Sequence, residues 1–387
     1  MPPVTYLDAD ERVAGFLDAI GGSRDLAVDT EGASFHRFID RVYLLQLSTR
    51  SHHAILDPLA VTPPPSLGAL LADASVEVVF HDADYDLRLL HQDYGWRVGH
   101  LFDTRVAAQL LGIRQFGLAA LLESEFGVRL DKRHQRADWS MRPLSEAMLA
   151  YAAQDTMHLL PLRDRFRTRL EKQGRMRWAE EEFARLQRVE WEPDAPDAAF
   201  LRIKGARDLS RRELALLREL VRWRDRAAAA VDRATFRVMA NEALLEIARQ
   251  APSSPDNLAA IKGVPRNLSP TRAAEVLAAV KAGAEVPEAE LPKFPRAPRW
   301  DRDPNFDSRV SALRTARDAV AEKLGLEPGV LGSRERLEAV ARRAPESVDD
   351  LAAIPDLRRW QIEVLGDELI RALKRENSSR AEGQNPR

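Results

Sequence analysis

The sequence predicts an α/β domain with a mixed β-sheet and flanking helices, followed by two all-α helical domains. Three observations lead to this prediction. Strand and helix patterns alternate in the first half of the chain, and the second half contains an internal repeat. Charge also divides: residues 1–200 hold 23 basic and 31 acidic residues, and the remainder holds 35 and 29. The net charge of −2 is therefore a cancellation between an acidic half and a basic half.

The strands of the first domain are predicted from short apolar runs that end at polar or turn residues. Three runs joined by short connections indicate an antiparallel meander, and a fourth run, VEVVF, indicates a buried strand that leads into a helix. The predicted strands are 25–28, 42–47, 53–56 and 76–80, and further helices are predicted at 103–112, 117–126 and 144–170.

The second half contains a duplicated segment. Residues 244–261 align without gaps to residues 337–354, an offset of 93, with 11 of 18 positions identical. The same offset places Arg224 on Arg317. We interpret this as a repeated helical unit. Two unrelated helical hairpins with a shared alanine and leucine bias are the alternative.

Proline-rich and acidic breaks divide the chain. An acidic turn follows residue 191, residues 287–304 carry five prolines, and the last residues are polar. The expected parts are an α/β domain at 1–200, a first helical domain at 205–286, a stiff linker at 287–304, a second helical domain at 305–376 and a disordered tail at 377–387.

Four carboxylates stand at informative positions. Asp29 and Glu31 end the first strand two residues apart, which places both on one face. Asp86 follows the fourth strand, although Asp82 and Asp84 are rivals for the same role. In a third element, a helix, Tyr151 and Asp155 share a face because they are four residues apart. Each pair alone is more often turn chemistry or packing than a metal site.

Grouped together, these residues suit metal-dependent phosphodiester chemistry. Magnesium binds hard oxygen ligands, and clustered carboxylates repel one another unless a cation is present. Two divalent cations can together stabilise the attacking and leaving oxygens of a displacement at phosphorus. A neighbouring tyrosine hydroxyl can orient the attacking water.

The order Asp29-Thr30-Glu31, Asp86, Tyr151-x-x-x-Asp155 resembles the tyrosine-bearing branch of the DEDD 3′→5′ exonucleases. The run DTEGASFHRFIDRVYLLQLS is similar to the first motif of the ribonuclease D family, and the duplicated unit resembles the HRDC domain, which binds nucleic acid. The resemblance extends from about residue 4 to residue 375. It implies a ribonuclease H-like first domain and two HRDC-like domains.

The resemblance also implies roles for these residues. Asp29, Glu31 and Asp155 would bind the metal that activates water, and Asp29 would bridge to a second metal that Asp86 supports. Both ions would be Mg²⁺ or Mn²⁺, and Tyr151 would bind the attacking water. Relatives often carry an aromatic residue and an arginine after Asp-Thr-Glu, whereas Gly32 and Ala33 stand here, so the contact with the terminal nucleotide is expected to differ.

The implied activity is the trimming of 3′ ends of tRNA precursors and other small structured RNAs, with release of nucleoside 5′-monophosphates. The partner is then RNA with a free 3′ end. A DNA 3′→5′ exonuclease and a pseudo-exonuclease that binds RNA without cleaving it are the rivals.

Basic residues near the carboxylates and in the first repeat are candidates for phosphate contact. A charged, solvated surface is the alternative for both groups, and it is the expectation for the arginines at 163, 165, 167 and 169. The candidates are Lys132, Arg133, His134, Arg136, Arg211, Arg218 and Arg222.

Several classes of protein are excluded. The absence of cysteine excludes disulfides, zinc–thiolate sites and cysteine nucleophiles. No phosphate-binding glycine motif occurs, so no nucleotide cofactor is expected. No signal peptide or membrane span is expected, and we expect a cytoplasmic monomer.

Overall fold

A six-stranded mixed β-sheet organises the first half of the chain. The computed structural model describes residues 3–131, 133–193, 196–295, 303 and 305–383, apart from the side chains of 196, 197 and 377–383. The strand order is β1-β4-β3-β2-β5-β6. The strands are β1 (Val4–Leu7), β2 (Asp25–Glu31), β3 (Leu44–Ser48), β4 (His53–Leu56), β5 (Glu77–Phe80) and β6 (Leu101–Asp103).

Strands β2, β3 and β4 form the predicted antiparallel meander, while β1 joins β4, β5 joins β2 and β6 joins β5 in parallel. The mixed sheet is thus confirmed. The sequence does not predict the outer strands β1 and β6. Strand β6 has only three residues, too few to show a period-two pattern.

Helices cover the sheet. The expected helix over 144–170 is divided at His158, which ends one helix and begins the next. Asp103 caps its helix by accepting hydrogen bonds from the amides of Arg105 and Val106, so strand β6 turns directly into a helix. The helices are α1 (Asp10–Ile20), α2 (Pro65–Ala72), α3 (Asp84–Tyr94), α4 (Thr104–Leu110), α5 (Leu118–Phe126), α6 (Glu146–Met157), α7 (Leu159–Lys172) and α8 (Met176–Leu186).

The described residues of the second half form helices and their connections, with no strand among them. A first helical module contains α9 (Arg211–Ala229), α10 (Thr235–Val238), α11 (Asn241–Gln250), α12 (Pro255–Ala259) and α13 (Pro270–Ala284). A second contains α14 (Phe306–Leu324), α15 (Pro328–Leu331), α16 (Arg334–Arg343) and α17 (Arg359–Gly383). Short 3₁₀ helices lie at Pro196–Arg202, Ala206–Asp208, Glu288–Glu290 and Asp349–Ala353.

The two modules repeat one another in detail. Helices α11 and α16 begin and end 93 residues apart, and each ends at an alanine with a positive φ near 45°. Arg224 donates to the carbonyl oxygen of Met239, and Arg317 donates to that of Gly332, again at the same offset. The repeat in the sequence is therefore a repeat in structure.

The two modules relate differently to the sheet domain. The second shares a hydrophobic core with it, whereas the first has its own core. At the shared boundary the rings of Trp178 and Trp360 stack with centroids 5.0 Å apart. Trp360 also donates from Nε1 to Glu182 at 3.0 Å. The second module is thus built into the α/β domain.

Of the α7 arginines that the sequence assigns to a solvated surface, Arg163 is buried, whereas the other three keep exposed surface but are ion-paired. Arg163 is 5% exposed and pairs with Asp25 at 2.5 Å and with Glu77. Arg167 also pairs with Glu77, and Arg165 and Arg169 pair with Glu125. These partners lie 40 or more residues away in sequence, so spacing along α7 alone does not reveal them.

The predicted tail and the predicted linker differ from what the structure describes. Helix α17 continues through residues 377–383, which the sequence assigns to a disordered tail, and 384–387 lie outside the described residues. Most of the second half of the expected linker, 296–302 and 304, also lies outside them. Among the helices of the described ranges, none has the length and apolar character needed to cross a bilayer.

Candidate active site

The end of strand β2 carries the first two carboxylates. Asp29 and Glu31 are two residues apart on this strand and project to the same face of the sheet. Gln46 on strand β3 lies directly opposite Asp29 in the antiparallel register. Paired residues in such a register face the same side, so the sheet presents Asp29, Glu31 and Gln46 together.

Helix α6 packs over this face and brings the third carboxylate. One oxygen each of Asp29, Glu31 and Asp155 lie within 4.8 Å of one another. A hydrogen bond of 2.7 Å between the hydroxyls of Ser48 and Thr156 fixes α6 against β3 beside Asp155. Two residues 124 positions apart in sequence, Glu31 and Asp155, are thereby brought to one site.

Asp86 reaches the site by a different route. It lies in the first turn of α3, is 4% exposed, and accepts hydrogen bonds through Oδ1 from both the amide and the hydroxyl of Thr30, at 2.9 and 2.5 Å. It is not part of the group of three whose oxygens converge within 4.8 Å. Thr30, the middle residue of Asp-Thr-Glu, therefore fixes the position of Asp86 relative to strand β2.

Crowding and burial raise the pKa of every one of these carboxyls. Burial raises the pKa of Asp29, and the charge of Asp155 adds to the effect. The pKa of Glu31 rises through burial and then through Asp29, Asp155 and Asp86. Burial and the charge of Asp29 likewise raise the pKa of Asp86. The pKa of Asp155 rises to about 7, through burial and the charge of Asp86.

This donor set fits divalent cations. It offers carboxylate oxygens, the hard ligands that Mg²⁺ and Mn²⁺ prefer, and no soft ligand. Their raised pKa values show that the ionised groups repel one another, and a cation removes that repulsion. Asp29, Glu31 and Asp155 are the residues that would hold it.

Tyr151 stands one helical turn before Asp155. Its ring lies between Trp139, stacked at 5.9 Å with an interplanar angle of 30°, and His134, edge-on at 6.0 Å. Trp139 is 1% exposed and so fixes this arrangement. Burial and the charges of Asp155, Glu31 and Asp29 raise the pKa of Tyr151, which keeps its hydroxyl protonated.

At Gly32 the sequence departs from the family pattern described above, and the structure shows a physical reason for glycine there. A Cβ atom there would collide with the hydroxyl of Tyr85 and the carboxylate of Asp40. These two groups are joined by a hydrogen bond of 2.5 Å, and Asp40 also accepts from the amide of Ala33 at 2.8 Å. The glycine therefore lets the segment after Glu31 close against α3.

The predicted nucleic-acid residues divide into two groups. His134 and Arg136 lie beside the site: His134 faces Tyr151, and the guanidinium of Arg136 lies 5.4 Å from the ring of Phe35. Arg133 pairs with Asp131 and is largely exposed, while Lys132 lies outside the described residues.

The α9 arginines lie in the first helical module and bind partners within it. Arg211 donates to the carbonyl oxygen of Leu291 at 3.0 Å. Arg218 and Arg222 both pair with Glu219, at 2.9 and 3.0 Å. These arginines therefore already have hydrogen-bond or ion-pair partners, and Arg218 and Arg222 share one carboxylate.

Sequence reasoning missed Gln46 and Phe236. Gln46 is fully buried, and neither atom of its amide has a hydrogen-bond partner. Phe236, in α10 of the first module, touches Phe35 of the sheet domain. A buried amide in an apolar strand is a signal for the first residue. For the second no local signal exists, because its contact joins residues 201 positions apart.

The sequence matches known protein families over most of its length. A family described as 3′-5′ exonuclease matches residues 4–171, and the HRDC domain matches 213–280 and 307–373. Ribonuclease D of Acidiphilium cryptum is 32% identical over 379 residues, which cover 96% of this chain and 93% of that protein. This chain belongs to the ribonuclease D family.

A second curated relative and a solved structure of the same family are also similar to this chain. The protein of Escherichia coli K12 is 30% identical over 332 residues, covering 86% of this chain and 88% of the relative. The crystal structure of Escherichia coli RNase D, described as an exoribonuclease involved in structured RNA processing, superposes with a TM-score of 0.73 at 28% identity, covering 96% of this chain and 99% of that one.

The predicted fold class, the two HRDC domains and the family are thus confirmed. The enzyme is a 3′→5′ exoribonuclease.

The raised pKa of Asp155 predicts how Mg²⁺ and pH act on stability. Its folded-state pKa, about 7, exceeds its unfolded value, so without metal its contribution to stability is present at low pH and is lost as pH rises through 7. Mg²⁺ binds the ionised form. Saturating Mg²⁺ should therefore add about 2–3 kcal/mol to the free energy of unfolding near pH 8 and much less near pH 5.5.

Thermal unfolding with Mg²⁺ or with chelator at each pH measures this difference. Asp155→Asn is the matched variant, because it keeps the shape and removes the titrating charge, and it should lose most of the gain at high pH. An equal gain at both pH values, or one that Asp155→Asn keeps, would contradict the assignment.

Proposed function

We propose that this enzyme removes nucleotides one at a time from the 3′ ends of tRNA precursors and other small structured RNAs, releasing nucleoside 5′-monophosphates. The convergence of Asp29, Glu31 and Asp155 within 4.8 Å, with Tyr151 one turn away, carries the proposal. The Escherichia coli RNase D is described as an exoribonuclease involved in structured RNA processing, which supports this class of substrate.

We propose two divalent ions, Mg²⁺ or Mn²⁺, as the cofactors. Asp29, Glu31 and Asp155 would hold one, and Asp29 would be shared with a second that Asp86 supports. Divalent cations lower the pKa of a bound water and offset charge on a leaving oxygen, the chemistry that phosphodiester hydrolysis requires. The anchoring of Asp86 to Thr30 supports a role that is less direct than that of the other three.

The protein's own groups would order the substrate and the water. The protonated hydroxyl of Tyr151 is suited to hydrogen-bond the attacking water, because its raised pKa rules it out as a base. Trp139 and His134 hold the ring in place from two sides. Positioning of this kind contributes to rate by preserving the geometry of attack.

Phosphate contacts are proposed for Lys132, Arg133, His134 and Arg136, of which Lys132 lies outside the described residues. His134 lies next to Tyr151, and Arg136 lies next to Phe35, which supports a contact close to the site. Arg211, Arg218 and Arg222 would bind RNA only by giving up their present partners in the first module. We therefore assign them a secondary contribution.

We propose the same division of the chain as above, with 1–200 for the exonuclease domain, 205–286 and 305–376 for the HRDC domains and 287–304 for the linker, except that helix α17 extends the last domain to residue 383. One chain supplies every carboxylate of the site, which supports a monomer as the active unit. The cytoplasm, where tRNA precursors are processed, is the proposed compartment.

The direct test uses a tRNA with a 3′ extension. Incubation with Mg²⁺ should shorten the extension stepwise and release 5′-monophosphates, and chelator should stop the reaction. A matched DNA oligonucleotide should be degraded much more slowly than its RNA counterpart. Faster degradation of DNA would favour the proofreading type of exonuclease, and binding without cleavage of any substrate would favour the pseudo-exonuclease.

Substitutions at the site should separate metal binding from positioning. Asp29→Asn or Asp155→Asn should lower kcat by about 10³-fold or more, because removal of a ligand charge abolishes productive metal binding. Tyr151→Phe should lower kcat by about 10- to 100-fold, since only the hydrogen bond to water is lost, and leave metal affinity nearly unchanged.

Circular dichroism and thermal unfolding would verify that each variant folds. Full activity of Asp29→Asn with Mg²⁺ would refute the ligand assignment. Wild-type activity of Tyr151→Phe would refute the role given to the hydroxyl.

A further inference from the structure

A row of rings and guanidinium groups leads away from Tyr151 toward the first helical module. His134 lies 6.0 Å from Tyr151, and two residues later the guanidinium of Arg136 lies 5.4 Å from the centre of Phe35. Phe35 meets Phe236 of the first module edge-on at 6.4 Å. The guanidinium of Arg237 lies 6.0 Å from the ring of Phe236. We call His134, Arg136, Phe35, Phe236 and Arg237 the aromatic strip.

The strip joins two domains that are otherwise built on separate cores. The amide of Ala234 donates to the carbonyl oxygen of His36 at 3.2 Å, and the amide of Phe38 donates to Asp232 at 3.2 Å. Arg237 donates to the carbonyl oxygen of Phe35. These bonds fix the loop before α10 against the segment that follows Glu31, so the two phenylalanines keep their relative position.

Both rings of the strip stay open to solvent. Phe35 is 48% exposed and Phe236 is 50% exposed, although each touches the other. Hydrophobic packing between the domains would have buried them, as it buries Trp360 to 2% at the other domain boundary. Half-exposed rings flanked by arginines instead offer faces to a planar ligand, and the arginines offer charge to its phosphates.

Unpaired nucleic acid has the chemistry that fits such a surface. Its bases stack on aromatic side chains whatever their identity, and its backbone follows basic groups. The strip begins at the tyrosine of the active site, where the terminal nucleotide must lie for cleavage. The nucleotides that precede the terminal one would therefore extend along it, toward the first module.

We propose that the aromatic strip is a binding site for the unpaired bases next to the 3′ end of the RNA, and that the first HRDC module completes this site with Phe236 and Arg237. This inference rests on the proposed RNA substrate. It gives the first module a role through its α10 loop, and the arginines of α9 play no part in it. It also means that an RNA needs a single-stranded 3′ extension long enough to span from Tyr151 to Phe236 for full affinity.

Phe236→Ala in the full-length enzyme tests the proposal. The KM for an unpaired RNA of about eight nucleotides should rise by about 5- to 100-fold, because one base loses its stacking partner. The loss should fall mainly on KM, since Phe236 lies away from the carboxylates. Phe236→Trp should restore the affinity, and Phe236→Leu, which keeps an apolar side chain but no ring, should not.

Trp191→Ala is the matched control, an exposed aromatic residue outside the strip (41% exposed), and its KM should stay at the wild-type value. Equal KM values for wild type and Phe236→Ala, or full recovery by Phe236→Leu, would overturn the proposal and leave Phe236 as a packing residue. Wild-type enzyme that fails to degrade any RNA with Mg²⁺ would instead refute the proposed function, so the two failures are distinguishable.

Discussion

Repulsion among buried carboxylates is the constraint on which the site depends. The fold brings Asp29, Glu31 and Asp155 together and supports Asp86 behind them through Thr30. Burial raises the pKa of each of the four, and the charge of neighbouring carboxylates raises it further. A sheet that ends in two carboxylates and a helix that contributes a third is stable at neutral pH when a cation neutralises them. The fold thus gathers the ligands, and a cation would relieve the repulsion between them.

The helical modules extend this site in two different ways. The second is fused to the exonuclease domain through a common core and the stacked Trp178 and Trp360, so it acts as part of the scaffold. The first keeps its own core and touches the exonuclease domain beside the active site, at Phe35 and His36. The two copies of the module thus contact the exonuclease domain in different ways, one through a shared core and the other through a local contact.

Local patterns predicted much of this structure. Period-two spacing predicts that Asp29 and Glu31 share one face of a strand, and helical spacing predicts that Tyr151 and Asp155 share one face of a helix. The 93-residue offset predicts the repeated helices. The structure shows all three. Long-range partners were out of reach. The burial of Arg163 has no local signal because its partners Asp25 and Glu77 are distant in sequence, and the same holds for the hydrogen bond from Arg211 to the carbonyl oxygen of Leu291. The pairing of Glu219 with Arg218 and Arg222, one and three residues away, is by contrast visible in the sequence spacing. The choice of Asp86 over its two neighbours came from family resemblance alone.

Calorimetric titration of Mn²⁺ into the full-length enzyme near neutral pH, repeated in buffers of different ionisation enthalpy, tests the dependence of the site on cations most directly. We expect about two ions to bind per chain and protons to be released, because carboxyls with raised pKa values must ionise to bind metal. Asp155→Asn should weaken binding and reduce the number of protons released. Absence of binding, or binding whose proton release Asp155→Asn leaves unchanged, would contradict it.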